Sequence, residues 1–178
     1  MRFVSFIALA LTTAALLSAQ TGNRKVTQNP KSPPADTSIT LDGHAITIEY
    51  NAPSARGRKV EGGLIPYDNW WRLGADNATT LTTDADITIG DVHVPKGAYT
   101  LYVLASDSGW KLIVNKKTGQ WGTVYDDSQD LSRTAMKVAK TAQPVETLKI
   151  TLTSSGAKAG TLRIEWGNSR AEAPVKLG

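Results

Sequence analysis

The sequence predicts an all-β protein: an antiparallel two-sheet sandwich or a jelly-roll-like arrangement, with no major helix after the N-terminal leader. Short segments in which apolar and polar residues alternate recur along the chain at a spacing of about 8–12 residues. Glycine-rich turns separate these segments, and none outside the leader keeps a helical period. Many short strands joined by such turns are typical of two-sheet folds.

The chain begins with the features of a secretory signal peptide. Arg2 precedes an apolar run, Phe3 to Leu17, which ends in the small residues Ser18 and Ala19. Thr12 and Thr13 interrupt this run, which is shorter than the roughly 20 residues that span a bilayer. We therefore predict cleavage after residues 1–19, with a retained anchor as the alternative. The mature protein is expected to be periplasmic or extracellular, with no transmembrane anchor.

The composition excludes several classes of site. The chain has no cysteine, so it has no disulfide, no thiol nucleophile and no lipidated cysteine. Its net charge is +4, but the basic residues are scattered among sixteen acids rather than massed on one segment. That distribution argues against nucleic acid as a partner. No motif indicates a cofactor, and the size is that of one ordinary domain.

The first elements are a lead-in and a hairpin. Residues 20–37 are polar and rich in proline, which predicts a flexible lead-in before a single domain at 38–178. Order is expected to begin at Ser38. Alternating residues then flank Asp42-Gly43, a pair that is typical of a type I′ turn, and this pattern predicts a β-hairpin that ends near Tyr50.

The remaining strands follow a long irregular stretch. Residues 51–77 keep no period and predict a long structured loop. After it, alternation predicts a β-meander with strands at residues 78–83, 87–89, 92–94, 99–103 and 110–114. Residues 128–141 contain many helix formers, but the alternation around Met136 favours a strand over 134–140. Further strands are predicted at residues 145–153, 161–166 and 174–177.

The long loop carries the strongest candidate site. It is dense in arginine and aromatic residues, and a guanidinium group can grip a carboxylate or phosphate with two bonds while stacking on a ring. The predicted ligand-binding residues are Arg56, Arg58, Tyr67, Trp70, Trp71, Arg72 and Asn77. In the alternative interpretation the same side chains stack on one another and on backbone carbonyls, and the loop is scaffold.

Other chemistries are less well supported. His44 and His93 have no partner at metal-ligand spacing, and alternation places His93 toward solvent. A calcium loop is not matched by the spacing of the carboxylates at Asp84, Asp86, Asp126, Asp127 and Asp130. No Gly-x-Ser-x-Gly elbow is present. A carboxylate-dependent hydrolase would need two acids near the arginines, and the candidates are Glu49, Glu61, Asp68 and Asp76.

A wider pattern includes the loop. The residues that form it are Tyr50, Pro53, Arg56-Gly57-Arg58, Gly62 to Leu64, Pro66-Tyr67, Trp71-Arg72, Gly74-Ala75, Asn77-Ala78-Thr79, Pro95, Gly97, Tyr99, Leu101, Trp110, Asn115, Asp130, Arg133, Pro144-Val145-Glu146-Thr147 and Glu165-Trp166. In this pattern the chain resembles an exported bacterial family known as a domain of unknown function, numbered twenty-nine eleven, from roughly Asn29 to the end.

The resemblance implies an exported β-sandwich and carries no reaction with it. It also implies a strand, preceded by a turn, within residues 128–140. One departure is Asp68, which stands after Pro66-Tyr67 where the family pattern leads us to expect glycine.

Three functional hypotheses follow. The leading one is a non-enzymatic exported module that binds a small anionic or carbohydrate ligand, or a cell-envelope component, through residues 56–77. The second is a structural or protein-interaction module in which this region is scaffold. The third is the carboxylate-dependent hydrolase.

Overall fold

The computed structural model describes residues 31–178. The predicted signal peptide and most of the predicted lead-in lie outside this range and remain predictions. Within it the chain is nearly all β, since ten strands account for most of its residues and the helical structure is a single 3-10 turn at Asp127–Gln129. The predicted all-β class is confirmed.

The strands vary widely in length. Their bounds are β1 Pro34–Leu41, β2 His44–Asn51, β3 Asn69–Trp71, β4 Thr80–Thr83, β5 Ile87–Ile89, β6 Val92–Val94, β7 Gly97–Ser106, β8 Gly109–Asn115, β9 Asp130–Gly156 and β10 Ala159–Leu177.

All pairings between these strands are antiparallel. The order in the sheet is β1-β2-β4-β7-β8-β9-β10-β5-β6, with β3 added beside β7. The first part of β9, Asp130 to Met136, pairs with β8, and the rest of β9 pairs with β10. Register shifts around Gly167, opposite Val145, interrupt this second pairing. β9 changes partner from β8 to β10 between Met136 and Lys137, and the later irregularities bend the β9–β10 pair. This arrangement is consistent with a two-layer sandwich.

The chain that follows β2 is joined to the middle of β9. The Ala55 amide donates to the Glu146 carbonyl at 2.8 Å, and the Leu148 amide donates to the Pro53 carbonyl at 2.9 Å. Between these bonds, the Ser54 and Thr147 hydroxyl oxygens lie 2.8 Å apart. We call this junction of residues 53–55 with 146–148 the seam. It brings together parts of the chain that are far apart in sequence.

One continuous apolar core lies inside these strands. Alternation places Ile46, Ile48 and Tyr50 of β2 on the buried face. Burial of each such aliphatic side chain contributes about 1.5–3 kcal/mol. Tyr102 of β7 is fully buried, and its hydroxyl donates to the Val124 carbonyl at 2.7 Å, which satisfies the only polar atom of that side chain.

The structure corrects several element boundaries. β1 begins at Pro34, so the predicted start of order at Ser38 is too late. The predicted strands at 134–140 and 145–153 are parts of one long β9, and those at 161–166 and 174–177 are parts of β10. The predicted loop at 51–77 contains the short strand β3.

The predicted meander is also wrong in part. The β5–β6 hairpin pairs with β10 at the far end of the strand order, while β4 pairs directly with β7. Alternation reports which residues face the core, but it carries no information on which strands are neighbours.

Within residues 31–178, no helix is long and apolar enough to cross a membrane.

Candidate functional site

A pocket of about 320 Å³ opens beside the seam. It lies between the turn that follows β2, the turn that follows β3, and the first described residues of the chain. Its lining residues are Lys31, Ser32, Pro53, Ser54, Arg56, Arg58, Leu64, Trp71, Arg72, Gly74, Ala75, Asp76 and Trp166. Four of the predicted ligand-binding residues, Arg56, Arg58, Trp71 and Arg72, therefore line one pocket.

The first wall is a tight turn beside the seam. Arg56 and Gly57 both have left-handed backbone, with φ of +51° and +74°. The Glu146 carboxylate accepts the Arg56 amide at 2.7 Å, which holds this turn against β9. The Arg58 guanidinium donates from Nε to the Ala55 carbonyl at 2.9 Å and from Nη2 to the Ser54 carbonyl at 2.8 Å. Because a guanidinium has five N–H donors, Arg58 keeps donors for a ligand.

The floor is a pair of indole rings. Trp71 of β3 and Trp166 of β10 stack with ring centroids 5.7 Å apart and an interplanar angle of 20°. Both rings are almost completely buried. The Trp166 Nε1–H donates to the Glu146 carbonyl at 3.0 Å, so the same residue that holds the Arg56 turn also orients this ring. The floor is rigid and apolar.

The second wall is the turn at residues 72–76. Leu73 and Asp76 have left-handed backbone, with φ of +48° and +54°. The Arg72 Nε donates to the Gly74 carbonyl at 3.2 Å. A Cβ at Gly74 would lie 2.8 Å from the Thr79 hydroxyl oxygen, which itself donates to the Leu73 carbonyl at 2.7 Å. The glycine is therefore required here by close packing, and the turn holds Arg72 at the pocket.

The third wall comes from the start of the described chain, Lys31–Pro33, which we call the N-terminal strap. The Ser32 amide donates to the Asp76 carboxylate at 3.0 Å, and the Asn51 side-chain amide donates to the Ser32 carbonyl at 2.9 Å. These bonds place Lys31 at the pocket. Sequence reasoning missed the strap, because a polar, proline-rich segment has no periodic signal.

The pocket is strongly cationic. Lys31, Arg56, Arg58 and Arg72 contribute positive charge, and Asp76 is the only carboxylate among those residues of the described chain, 31–178, that line the pocket. In a cleft lined mainly by charges of one sign, the local concentration of ligands of the opposite sign is raised.

Three predicted ligand-binding residues lie outside the lining. Tyr67 is exposed on the surface and does not reach the pocket. Trp70 lies on the opposite face of β3 from Trp71 and packs on Tyr102 and Tyr125, with ring centroids 5.6 and 5.0 Å away. Asn77 is buried, and its backbone bridges to Trp121. Period-2 alternation within β3 accounts for the separation of the two tryptophans.

A polar cluster outside the pocket lining supports the loop that packs against the second wall. The Tyr125 hydroxyl donates to Asp130 at 2.7 Å, and Arg133 Nη2 donates to both Asp130, at 2.8 Å, and the Tyr125 hydroxyl oxygen, at 3.0 Å. Asn115 Nδ2 donates to the other oxygen of Asp130 at 2.8 Å. Burial, followed by the bond to Asp130 and its charge, raises the pKa of Tyr125 to about 12.

This cluster anchors both ends of the loop at residues 116–129, which contacts the second wall. The Gly122 amide donates to the Asp76 carbonyl at 2.8 Å. A Cβ at Gly122 would lie 3.0 Å from Arg72 Cδ, so the loop packs directly against the Arg72 side chain. Asn115, Asp130 and Arg133, which belong to the wider sequence pattern, therefore have a structural role in supporting the pocket.

The two histidines each lie beside one aspartate and outside the lining of the pocket. His44 contacts Asp84 at 3.1 Å, and His93 lies 3.8 Å from Asp86, both on the exposed surface. Within residues 31–178 no group of three or more potential ligand residues could hold a metal ion.

The hydrolase candidates are separated. Asp76 is the one that lines the pocket, whereas Glu61 accepts the Asn168 amide at 2.7 Å and lines a neighbouring pocket together with Arg58 and Glu146. Asp68 lies near the β7–β8 turn, and Glu49 pairs with β4 and β1. The second acid that a two-carboxylate mechanism requires is thus missing from the lining of the pocket.

Comparison with known proteins identifies the family. The family model described as "Protein of unknown function (DUF2911)" matches residues 32–175, nearly all of the described chain. The chain therefore belongs to this family, and the resemblance seen in the sequence pattern is confirmed. No curated protein and no solved structure matches the chain.

Proposed function

We propose that this member of the DUF2911 family is an exported, non-enzymatic binding module that holds a small anionic or carbohydrate ligand in the pocket beside the seam. The observation that carries the proposal is the lining itself, in which four cationic side chains surround two stacked indole rings. Arginine beside an apolar aromatic surface is suited to a ligand that has both an acidic group and an apolar face.

The size of the pocket supports a small ligand. Its volume of about 320 Å³ is at the lower end of the range of ligand pockets, about 300–1,000 Å³. A larger partner, such as a protein segment, would have only the rim to contact.

The strain in the walls also supports a binding role. Arg56, Leu73 and Asp76 each keep a left-handed backbone that favours glycine. Such conformations cost about 1–2 kcal/mol per residue, and they concentrate at functional sites, where the surrounding structure holds them. Here all three flank or form the pocket walls.

The test is a ligand screen by thermal shift on purified protein, using sugars, sugar acids, phosphates and peptidoglycan fragments. A ligand at one hundred times its dissociation constant adds about 2.7 kcal/mol of stability. We expect an acidic ligand to raise the melting temperature, and Arg56→Ala to abolish the shift. Arg56 is the best residue to substitute, since its hydrogen bond to Glu146 is made by the backbone amide and survives the change.

The matched control is Arg163→Ala. Arg163 pairs with Glu172 at 2.6 Å on β10 and does not line the pocket. This variant should keep the full ligand-dependent shift. A screen without any hit, or a shift that persists in Arg56→Ala and Arg72→Ala, would favour the alternative in which the region is scaffold only.

A further inference from the structure

Resting on the proposed binding function, we infer that the ligand is a sugar acid: a single pyranose-sized unit that carries one carboxylate and several free hydroxyl groups. Three features of the pocket support this: the carboxylate of Asp76, the cationic walls and the floor.

Asp76 is the informative residue. It is almost completely buried, and one of its oxygens accepts the Ser32 amide at 3.0 Å. An ionised carboxylate only accepts hydrogen bonds and offers about four lone-pair sites, so it has capacity beyond this one bond. A ligand that is anionic all over would be repelled by Asp76, whereas ligand hydroxyl groups would donate to it. The single acid in a cationic pocket therefore selects a ligand that has hydroxyl groups as well as negative charge.

The cationic walls supply the complementary half. Arg58 and Arg72 each use part of their guanidinium to donate to backbone carbonyls, which fixes the orientation of the donors that remain. Preorganised guanidinium groups bind a carboxylate through paired N–H donors. Lys31 on the N-terminal strap adds a compact charge on the third wall.

The floor and the volume limit the rest of the ligand. Trp71 and Trp166 are largely buried, and the small apolar edges that they expose at the pocket floor can contact the C–H groups of a sugar ring. The volume of about 320 Å³ corresponds to roughly ten water volumes. That space exceeds what an inorganic anion fills and is suited to one monosaccharide unit.

The experiment is calorimetric titration of the purified protein with three matched probes: glucuronate, glucose and cyclohexanecarboxylate. Glucose lacks the charge, and cyclohexanecarboxylate is a ring acid without hydroxyl groups. We expect glucuronate to bind at least about tenfold more tightly than either, because hydrogen bonds to charged groups are the strong ones.

The decisive variant is Asp76→Asn. Asparagine tolerates the left-handed backbone and keeps an oxygen for the Ser32 amide, so both the fold and the strap are retained. We expect this variant to bind glucuronate about tenfold or more weakly and to bind cyclohexanecarboxylate equally or more tightly, because a repelling charge is gone. Opposite responses of the two acids are a result that general damage to the pocket cannot produce.

The outcomes separate this inference from the proposed function. If both acids bind equally and respond alike to Asp76→Asn, the sugar-acid inference is overturned while the anion pocket stands. If glucuronate, cyclohexanecarboxylate, glucose and inorganic phosphate all fail to bind, both proposals fail. Where glucuronate binds, methyl β-glucuronide identifies the source of the sugar acid. Binding equal to that of glucuronate indicates the end of a glycan, and weaker binding indicates the free acid.

Discussion

At the scale of single residues, left-handed backbone is concentrated where the function is proposed. Four of the five non-glycine residues with positive φ in the described chain lie within residues 51–77, and the fifth, Asp42, forms the β1–β2 turn. Asp68 is one of the four, with φ of +57°. The positive φ at this position explains why the family pattern leads us to expect glycine there, because glycine adopts this conformation without a steric cost.

Replacement of Asp68 by glycine should stabilise the protein. Relief of the left-handed conformation is worth about 1–2 kcal/mol for an ordinary residue and less for aspartate, which tolerates it, and the greater freedom of glycine in the unfolded chain offsets part of this gain. We expect a net increase of up to about 1 kcal/mol in the free energy of unfolding, measured by urea titration. Asp107→Gly, a turn residue without positive φ, is the control and should be neutral or destabilising. A loss of stability in Asp68→Gly would contradict the steric explanation.

Replacement of Gly74 by alanine should have the opposite effect. The new Cβ would lie 2.8 Å from the Thr79 hydroxyl oxygen and 3.2 Å from the Asn51 carbonyl oxygen, which is backbone and cannot easily move. Overpacking of this kind costs about 1–3 kcal/mol. Gly156→Ala serves as the control, because its Cβ would meet no atom within 4 Å. Equal stabilities of the two variants would show that the turn can relax.

Tyr125 should make stability depend on alkaline pH. Tyrosine in an unfolded chain ionises near pH 10, whereas Tyr125 keeps its proton in the folded protein to about pH 12. Between these values the folded state binds more protons, so its stability falls as the pH rises. This contribution is fully present below about pH 10 and is lost toward about pH 12.

The check compares Tyr125→Phe with the parent protein by urea unfolding at several pH values. We expect the parent to be the more stable below about pH 10, and the difference to shrink as the pH approaches about 12. A difference that stays constant over this range would show that the Tyr125 proton does not contribute to folding.

At the scale of elements, the segment from residue 51 to residue 77 combines core-packing side chains with side chains of the proposed site. β3 sends Trp71 into the core and Trp70 toward Tyr125, while the neighbouring turn presents Arg72 to the pocket. The scaffold interpretation therefore applies to some side chains of this segment, and the ligand-binding proposal applies to others. Trp71 belongs to the packing, and the arginine side chains belong to the proposed binding surface.

This division predicts different costs for neighbouring substitutions. Trp71→Ala should lower the free energy of unfolding by about 3–5 kcal/mol, as large core deletions do. Arg72→Ala removes a partly exposed side chain and one bond to the Gly74 carbonyl, so about 1 kcal/mol is expected. Both are measured by chemical denaturation. If Arg72→Ala costs as much as Trp71→Ala, the arginine is primarily structural and the proposed binding role loses its main support.

The sequence predicted strands well and their partners poorly. Alternation located the buried residues of β2 and one buried face of β7 and of β8, because the period of side chains along a strand is a local property. It did not predict that Tyr102 and Ile113, on the other face of these strands, are buried as well. Pairing of β5 with β10 and the seam between 53–55 and 146–148 are long-range, and nothing local encodes them. The same limit applied to the site. Arginine density indicated two of the three walls of the pocket, whereas Lys31, Asp76 and Trp166 are placed there only by the fold.

At the scale of the whole molecule, one core and one seam make the described chain a single cooperative unit. The core cluster contains residues from β1 through β10 without a break. The seam connects the segment after β2 to β9, so the early and late parts of the chain hold each other in place. A domain of this size with one core is expected to unfold in a single transition.

We therefore expect urea unfolding curves from far-UV circular dichroism and from tryptophan fluorescence to coincide. Far-UV circular dichroism follows all strands, while fluorescence reports on the surroundings of the tryptophans, two of which form the pocket floor. Separated midpoints would show that the pocket region opens before the rest of the sheet. In that case the hydrogen bonds of the seam would break before global unfolding and would not contribute to its cooperativity.

The stacked indoles of Trp71 and Trp166 have one more consequence. Two indole rings with centroids 5.7 Å apart are close enough for their transition dipoles to couple electronically, and a twist between the two dipoles gives a paired positive and negative band in circular dichroism near the main indole absorption. The pocket floor therefore has an intrinsic spectroscopic signal. Changes in that couplet would follow occupancy or rearrangement of the pocket directly, without any dye or isotope.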